Sequence, residues 1–297
     1  MEGSHFSPSV DSQRTELRRK LGIESRLEQR QCIRIGALPL HTELYTGGGD
    51  DAPLLFFIPG IGTYSELYAE LLSDLAAEGF NVVGVDLRGH GYSGGERGLY
   101  TVEEVCSDLS EIIDHYRKSF SGPVYLYGYS IGSLLGLACA EKDARIERLV
   151  CGTLLVPELA PDMLHQIGWS WIWSSALLMP RTALPMKSFI DYDRLLAGHP
   201  AGEEINSDPL IVFDYPLQTL SSLFTWRFES LSRTFDFRGV IIHGSRDEVL
   251  PLNYSERVRE RLKQPFELIP VEGEGHMLPW DNPELLTRLV SDWLHGR

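Results

Sequence analysis

Val124-Tyr125-Leu126-Tyr127-Gly128-Tyr129-Ser130-Ile131-Gly132 decides how this chain is read. An apolar, β-prone run enters Gly-x-Ser-x-Gly. The small and apolar residues Ser133-Leu134-Leu135-Gly136-Leu137-Ala138-Cys139-Ala140 follow, as in a packed helix. A strand that breaks sharply into a helix holds its serine at the apex of a strained turn. Gly128 and Gly132 then stand where a side chain would strike the neighbouring strand or helix. The backbone N–H of Ile131 and the helix N-terminus point at whatever Ser130 attacks. The five-residue pattern alone is common by chance, so its flanks carry the weight.

Outward from this turn, strand and helix alternate. Leu54–Ile58 and Asn81–Asp86 are apolar runs of the kind buried on both faces of a sheet. Between them, Leu67, Leu71, Leu72 and Leu75 share one face of a helix over Tyr64–Glu78, and Gly79 stops it. Thr101 caps a helix reaching about Phe120, with Glu104 three residues on as in a capping box. Ile146–Cys151, Arg238–His243 and Phe266–Val271 read as further strands, with helices at Ser255–Lys263 and Pro283–His295. The expected fold class is α/β, a mostly parallel central sheet with helices on both faces.

Three other regions complete the organisation. Residues 1–30 form a polar, poorly packed lead-in, partly helical around Thr15–Arg30, and Gln31–Ile35 with Leu38–Tyr45 forms an opening hairpin. Residues 31–152 and 236–297 make the sheet core. Residues 153–235, rich in aromatics and prolines, interrupt it as an inserted helical cap, or lid. Within that cap Trp169, Trp173 and Leu177 recur at intervals of four, on one helix face. The stripe is either the cap's own core or the lining of an apolar acyl pocket or lipid-facing surface; spacing alone does not choose.

Composition removes several classes of function. A formal charge of −15 over 297 residues opposes gripping a phosphate backbone, so nucleic acid is not an expected partner, and strongly anionic substrates are disfavoured at long range. Cys32, Cys106, Cys139 and Cys151 show no metal-like spacing, and no metal or organic cofactor is expected. Met1–Gly22 is polar and basic, unlike a secretory leader, and Ile167–Pro180 is shorter than the ~20 residues a bilayer span needs. A cytoplasmic, reducing location is the expectation.

If Ser130 attacks an acyl carbon, it needs a base, and the base needs a carboxylate to hold its tautomer. His276 lies in a glycine-rich loop just after a strand and near the C-terminus. Asp247 follows the Val240–His243 run, with Glu248 its nearest rival. The loop Arg88–Gly95 carries His90 beside Asp86, and is read as a turn packed beneath the site. Tyr129 is expected to pack locally.

Ile58-Pro-Gly-Ile-Gly-Thr-Tyr-Ser65, Asp86-Leu-Arg-Gly-His-Gly-Tyr-Ser93, Gly128-Tyr-Ser-Ile-Gly132, Ser207-Asp-Pro-Leu210, His243-Gly-Ser-Arg-Asp247 and Gly275-His276 together resemble the α/β-hydrolase superfamily. More narrowly they resemble its monoacylglycerol-lipase-like and lysophospholipase-like serine hydrolases. The resemblance implies Ser130 as nucleophile, His276 as base and then acid, Asp247 as its partner, and backbone oxyanion donors at Ile61 and Ile131. The family's His-Gly is Pro59-Gly60 here; the donor at Ile61 is kept and the imidazole's contacts are not. The expected activity is hydrolysis of a small carboxylic ester with an apolar acyl or aryl group, such as a monoacylglycerol or lysophospholipid, with lipid contact through the cap. A thioesterase, amidase, carbon–carbon hydrolase or acyltransferase would use the same residues, and a small-molecule receptor the same scaffold.

Overall fold

The computed structural model describes residues 8–188, 190–196 and 199–297. Its strands are β1 (Gln31–Ile35), β2 (Leu40–Thr46), β3 (Leu54–Ile58), β4 (Asn81–Val85), β5 (Val124–Tyr129), β6 (Ile146–Gly152), β7 (Ala183–Pro185), β8 (Asp214–Pro216), β9 (Arg238–Gly244) and β10 (Phe266–Val271). Eight of them form one sheet in the order β1-β2-β4-β3-β5-β6-β9-β10. The pairs β1–β2 and β2–β4 are antiparallel, and every pair from β4 to β10 is parallel. The two short strands β7 and β8 form a separate antiparallel ribbon.

The helices are α1 (Pro8–Leu21), α2 (Glu24–Leu27), α3 (Ala69–Ala77), α4 (Val102–Tyr116), α5 (Ile131–Lys142), α6 (Met163–Leu178), α7 (Tyr192–Leu195), α8 (Gly202–Ser207), α9 (Leu217–Phe224), α10 (Leu252–Arg261), α11 (Leu278–Asp281) and α12 (Pro283–His295). Thr101 caps α4 through the expected reciprocal box with Glu104. No helix among the described residues is long and apolar enough to cross a membrane.

Period-two side-chain alternation divides the core between the two faces of the sheet. Leu54, Phe56 and Ile58 of β3 pack on one side with α4 and α5, while Leu55 and Phe57 pack on the other with α3 and α12. Each such fully buried side chain contributes about 2 kcal/mol by leaving water. A strand covered on both faces has no exposed side to mark with polar residues, which is why these runs are continuously apolar.

The N-terminal segment departs from expectation. Leu17, Leu21 and Ile23 are buried in the core, so residues 14–27 are not the poorly packed lead-in their polarity suggests. The cause is a buried ion cluster. Arg14, Arg18 and Arg30 all converge on Glu66, at 2.7, 2.7 and 2.9 Å. Residues 1–7 lie outside the described residues. Between β6 and β9 the chain inserts α6 to α9 and the β7–β8 ribbon, over the carboxyl ends of the parallel strands.

Candidate functional site

In a parallel sheet, the loops that follow the strands gather at one edge. Ile61 follows β3, Ser130 follows β5, Thr153 follows β6, Asp247 follows β9 and His276 follows β10. Residues up to 215 positions apart are therefore neighbours.

Ser130 sits between β5 and α5 at φ 55°, a backbone conformation non-glycine residues rarely adopt. The turn is held by Ser130 N–H donating to the Gly152 carbonyl (2.8 Å) and Ser133 N–H donating to the Ser130 carbonyl (2.8 Å). A Cβ at Gly128 would lie 2.1 Å from the Gly132 oxygen, and one at Gly132 would lie 2.2 Å from the Ile58 oxygen. Both glycines are required by close backbone approach.

His276 Nε2 stands 3.2 Å from Ser130 Oγ, and His276 Nδ1 stands 2.7 Å from Asp247 Oδ2. Asp247 is buried, whereas Glu248 is exposed. The other Asp247 oxygen accepts from the N–H groups of Val249 (2.7 Å) and Leu250 (2.9 Å). Burial alone would raise this carboxyl, but His276 and the Leu250 amide bring it below its ordinary value. The carboxylate is thus ionised and acts as acceptor to the imidazole.

Two further residues join this group, Thr153 without a sequence signal and His243 from within the His243–Asp247 motif. Thr153, at φ 60°, donates its hydroxyl to Asp247 Oδ2 at 3.1 Å. His243 lies 3.4 Å from the same oxygen, and its own nitrogens meet Ser255 Oγ (2.6 Å) and the Leu250 carbonyl (2.9 Å). Burial pushes His243 below the usual imidazole range, so it stays neutral beside Asp247. Tyr129 does more than pack: its hydroxyl donates to the His276 carbonyl, and the two rings are 5.5 Å apart.

Ile61 and Ile131 line one cavity with Ser130, of about 520 Å³. Its walls are apolar, from Leu155, Ile172, Met186 and Leu220 among others, and the exposed Leu164 and Val249 stand at its mouth. The Pro59-Gly60 loop is held without an imidazole. Gly60 N–H donates to Tyr68 Oη (3.2 Å), Thr63 Oγ1 to the Gly60 carbonyl (2.9 Å), and Tyr192 Oη to the Ile61 carbonyl (2.8 Å).

The three residues expected on one face of α6 separate only in part. Trp169 lines the Ser130 cavity and stacks on Phe224 with centroids 5.2 Å apart. Trp173, with the Trp169 and Phe224 rings again, lines an outer groove of about 700 Å³, and Leu177 is 67% exposed. The reason is helical geometry: four residues turn about 400°, so each step drifts roughly 40° off the starting face. The face that meets the cavity is Leu164, His165, Gly168, Trp169 and Ile172.

His90 is buried under the insertion, with Nε2 2.7 Å from Tyr215 Oη and its pKa lowered to about 4 by burial. Asp86 accepts from Ser65 N–H (2.7 Å), Ser65 Oγ (2.6 Å) and Tyr92 N–H (2.9 Å). Neither reaches Ser130, as expected of a turn. Among the described residues, Cys32, His41 and Glu43 are the one group of three donors close enough to share a metal ion. They lie on the β1–β2 hairpin, not at Ser130.

The family model described as serine aminopeptidase, S33, matches residues 50–282. Human (Homo sapiens) monoglyceride lipase is 27% identical over 264 residues, 84% of each chain. Mouse (Mus musculus) protein ABHD8 is 24% identical over 267 residues; the match covers 81% of this chain and 55% of that one, so this chain spans about half its length. Among solved structures, the Paleococcus ferrophilus monoacylglycerol lipase shares the fold, with a TM-score of 0.72 at 22% identity over 87% of this chain and 99% of that one. The chain therefore belongs to the serine aminopeptidase S33 family of the α/β-hydrolase superfamily.

Proposed function

We propose that this chain is a serine hydrolase that cleaves a small carboxylic ester carrying an apolar acyl or aryl group. The reading rests on one observation: Ser130, His276 and Asp247 form a continuous hydrogen-bonded line opening into an apolar cavity. That cavity falls within the roughly 300–1,000 Å³ of small-molecule sites. The esterase and lipase relatives support the same class of chemistry.

In this mechanism His276 Nε2 takes the Ser130 proton as Oγ bonds to the ester carbonyl carbon. Asp247 holds His276 in the tautomer that leaves Nε2 free to accept, and stabilises the imidazolium that forms. The oxyanion takes hydrogen bonds from the backbone N–H groups of Ile61 and Ile131, each worth about 3 kcal/mol in such sites. His276 then protonates the leaving alcohol. Water, deprotonated by His276, cleaves the acyl–Ser130 bond and releases the acid. The acyl group occupies the cavity lined by Leu155, Ile172 and Leu220, and the alcohol the smaller cleft beside His276, Tyr192 and Trp280.

Residues 153–235 act in this proposal as a cap over the site. Exposed Leu164, Ile167, Trp171 and Leu178 on α6 would meet a lipid surface as substrate enters. The four cysteines are all free thiols, which suits a reducing compartment. The test is a panel of aryl esters of increasing acyl length, monoacylglycerols, lysophospholipids and acyl thioesters. Turnover of the oxygen esters, abolished by Ser130→Ala, supports the proposal. A preference for thioesters moves the chain to the thioesterases, and turnover that survives Ser130→Ala overturns it.

A further inference from the structure

On the opening hairpin, β1 and β2 place Cys32 directly opposite Glu43, with His41 two residues away on the same face. Cys32 Sγ, one ring nitrogen of His41 and one Glu43 oxygen all lie within 4.8 Å of one another, and His41 Nε2 is already 3.2 Å from Glu43 Oε1. His41 and Glu43 are buried, while Cys32 is exposed and the other three cysteines are buried. The Ser130 chemistry uses none of these groups, which sit three and four strands away from β5 across the sheet.

We propose that Cys32, His41 and Glu43 form a binding site for a borderline-soft divalent cation, zinc by the nature of its donors. Thiolate, imidazole and carboxylate are the three side-chain donors zinc takes, and a thiolate selects against magnesium and calcium. Donors around a tetrahedral zinc stand about 3.5 Å apart, so the carboxylate–imidazole spacing already fits. The remaining adjustment falls on Cys32, the one exposed member, whose side chain can rotate without disturbing the core.

Arg30 Nη1 stands 3.1 Å from Glu43 Oε1 and its Nη2 2.9 Å from Glu66 Oε2, so the guanidinium keeps Glu66 when a metal takes the Glu43 oxygen. Tyr45 Oη donates to the other Glu43 oxygen (3.3 Å), and the Tyr92 ring lies 4.9 Å from His41. Binding takes the Cys32 thiol proton and leaves the imidazole nitrogen that meets the metal without one, so the metal enters as protons leave.

The spacing of the cysteines carries no hint of this site, because its donors are joined by strand register and only one of them is a cysteine. The test uses the full chain stripped with a chelator and titrated with Co²⁺ as a spectroscopic probe. One equivalent should produce a thiolate-to-cobalt charge-transfer band that Zn²⁺ displaces. Cys32→Ser, an exposed substitution that leaves the core intact, should abolish the band and weaken binding at least tenfold. Saturating Zn²⁺ should also slow maleimide alkylation of wild-type Cys32 at least tenfold. No band in the wild type, an equal band in Cys32→Ser, or an unchanged alkylation rate overturns the proposal.

Discussion

Helix α6 and the described residues of 190–216 belong to one insertion, but they treat their apolar side chains in opposite ways. On α6 only Ile172 is buried, while Met163, Leu164, Ile167, Trp171, Trp173, Leu177 and Leu178 are each at least half exposed. In the other stretch Tyr192, Leu196, Ile205, Leu210, Val212 and Tyr215 are buried. That stretch is also tied down by polar contacts. Tyr64 Oη donates to Asp208, Val212 N–H to the Gly62 carbonyl (3.0 Å), and Tyr192 Oη to the Ile61 carbonyl. One part of the insertion is thus an extension of the core that fixes the Pro59–Gly62 loop. The other packs on α9, with Trp169 stacked on Phe224, and keeps most of its apolar side chains in solvent.

The largest test of this contrast is aimed at what backs the fixed part. Helix α1 packs on α8, with Lys20 paired to Glu204, and α1 is itself held by the Arg14 and Arg18 contacts to Glu66. Glu66→Gln leaves those guanidiniums and that of Arg30 short of a counter-charge, and should cost about 4 kcal/mol in urea unfolding. Acid should do the same by degrees. Burial would raise the Glu66 carboxyl, but Arg18, Arg14 and Arg30 lower it from 4.5 to about 2. A depressed carboxylate stabilises the fold fully above its unfolded value, so this contribution is lost as pH falls from 4.5 through 2. In Glu66→Gln that part of the acid dependence should vanish.

A smaller effect is expected where the fixed part touches the site. Tyr192→Phe removes the donor to the Ile61 carbonyl and lets the neighbouring amide drift from the oxyanion. We expect kcat to fall about tenfold, ~1.4 kcal/mol, with KM and stability little changed. An unchanged kcat would mean that the loop is fixed by Tyr68 and Thr63 alone. The smallest effect belongs to the exposed helix. Trp171→Ser combined with Leu178→Ser should change stability by less than about 0.5 kcal/mol per site. The same pair should weaken co-sedimentation with phosphatidylcholine vesicles; unweakened binding would remove the lipid role of α6.

What the sequence reveals follows from how local each feature is. The strands and the Ser130 turn are legible because alternation, apolar runs and close-approach glycines act over a few neighbouring residues. Asp247 and His276 are legible because each follows a strand closely. Thr153 and Tyr192 are not, since their contacts depend on which strands and loops are neighbours in space. Residues 14–27 mislead for another reason: arginines that look solvated are paired with a buried glutamate. The α6 stripe misleads because a four-residue interval slides around a helix, which leaves Trp169 in the cavity and Leu177 in solvent.

The most direct test of the central claim is covalent. The wild-type chain is treated with a fluorophosphonate, digested, and its modified peptide identified by mass spectrometry. The account predicts a single adduct on the peptide containing Ser130, absent in Ser130→Ala and formed far more slowly in His276→Ala. A wild-type chain that takes no label, or a Ser130→Ala chain labelled at the same rate, would contradict it.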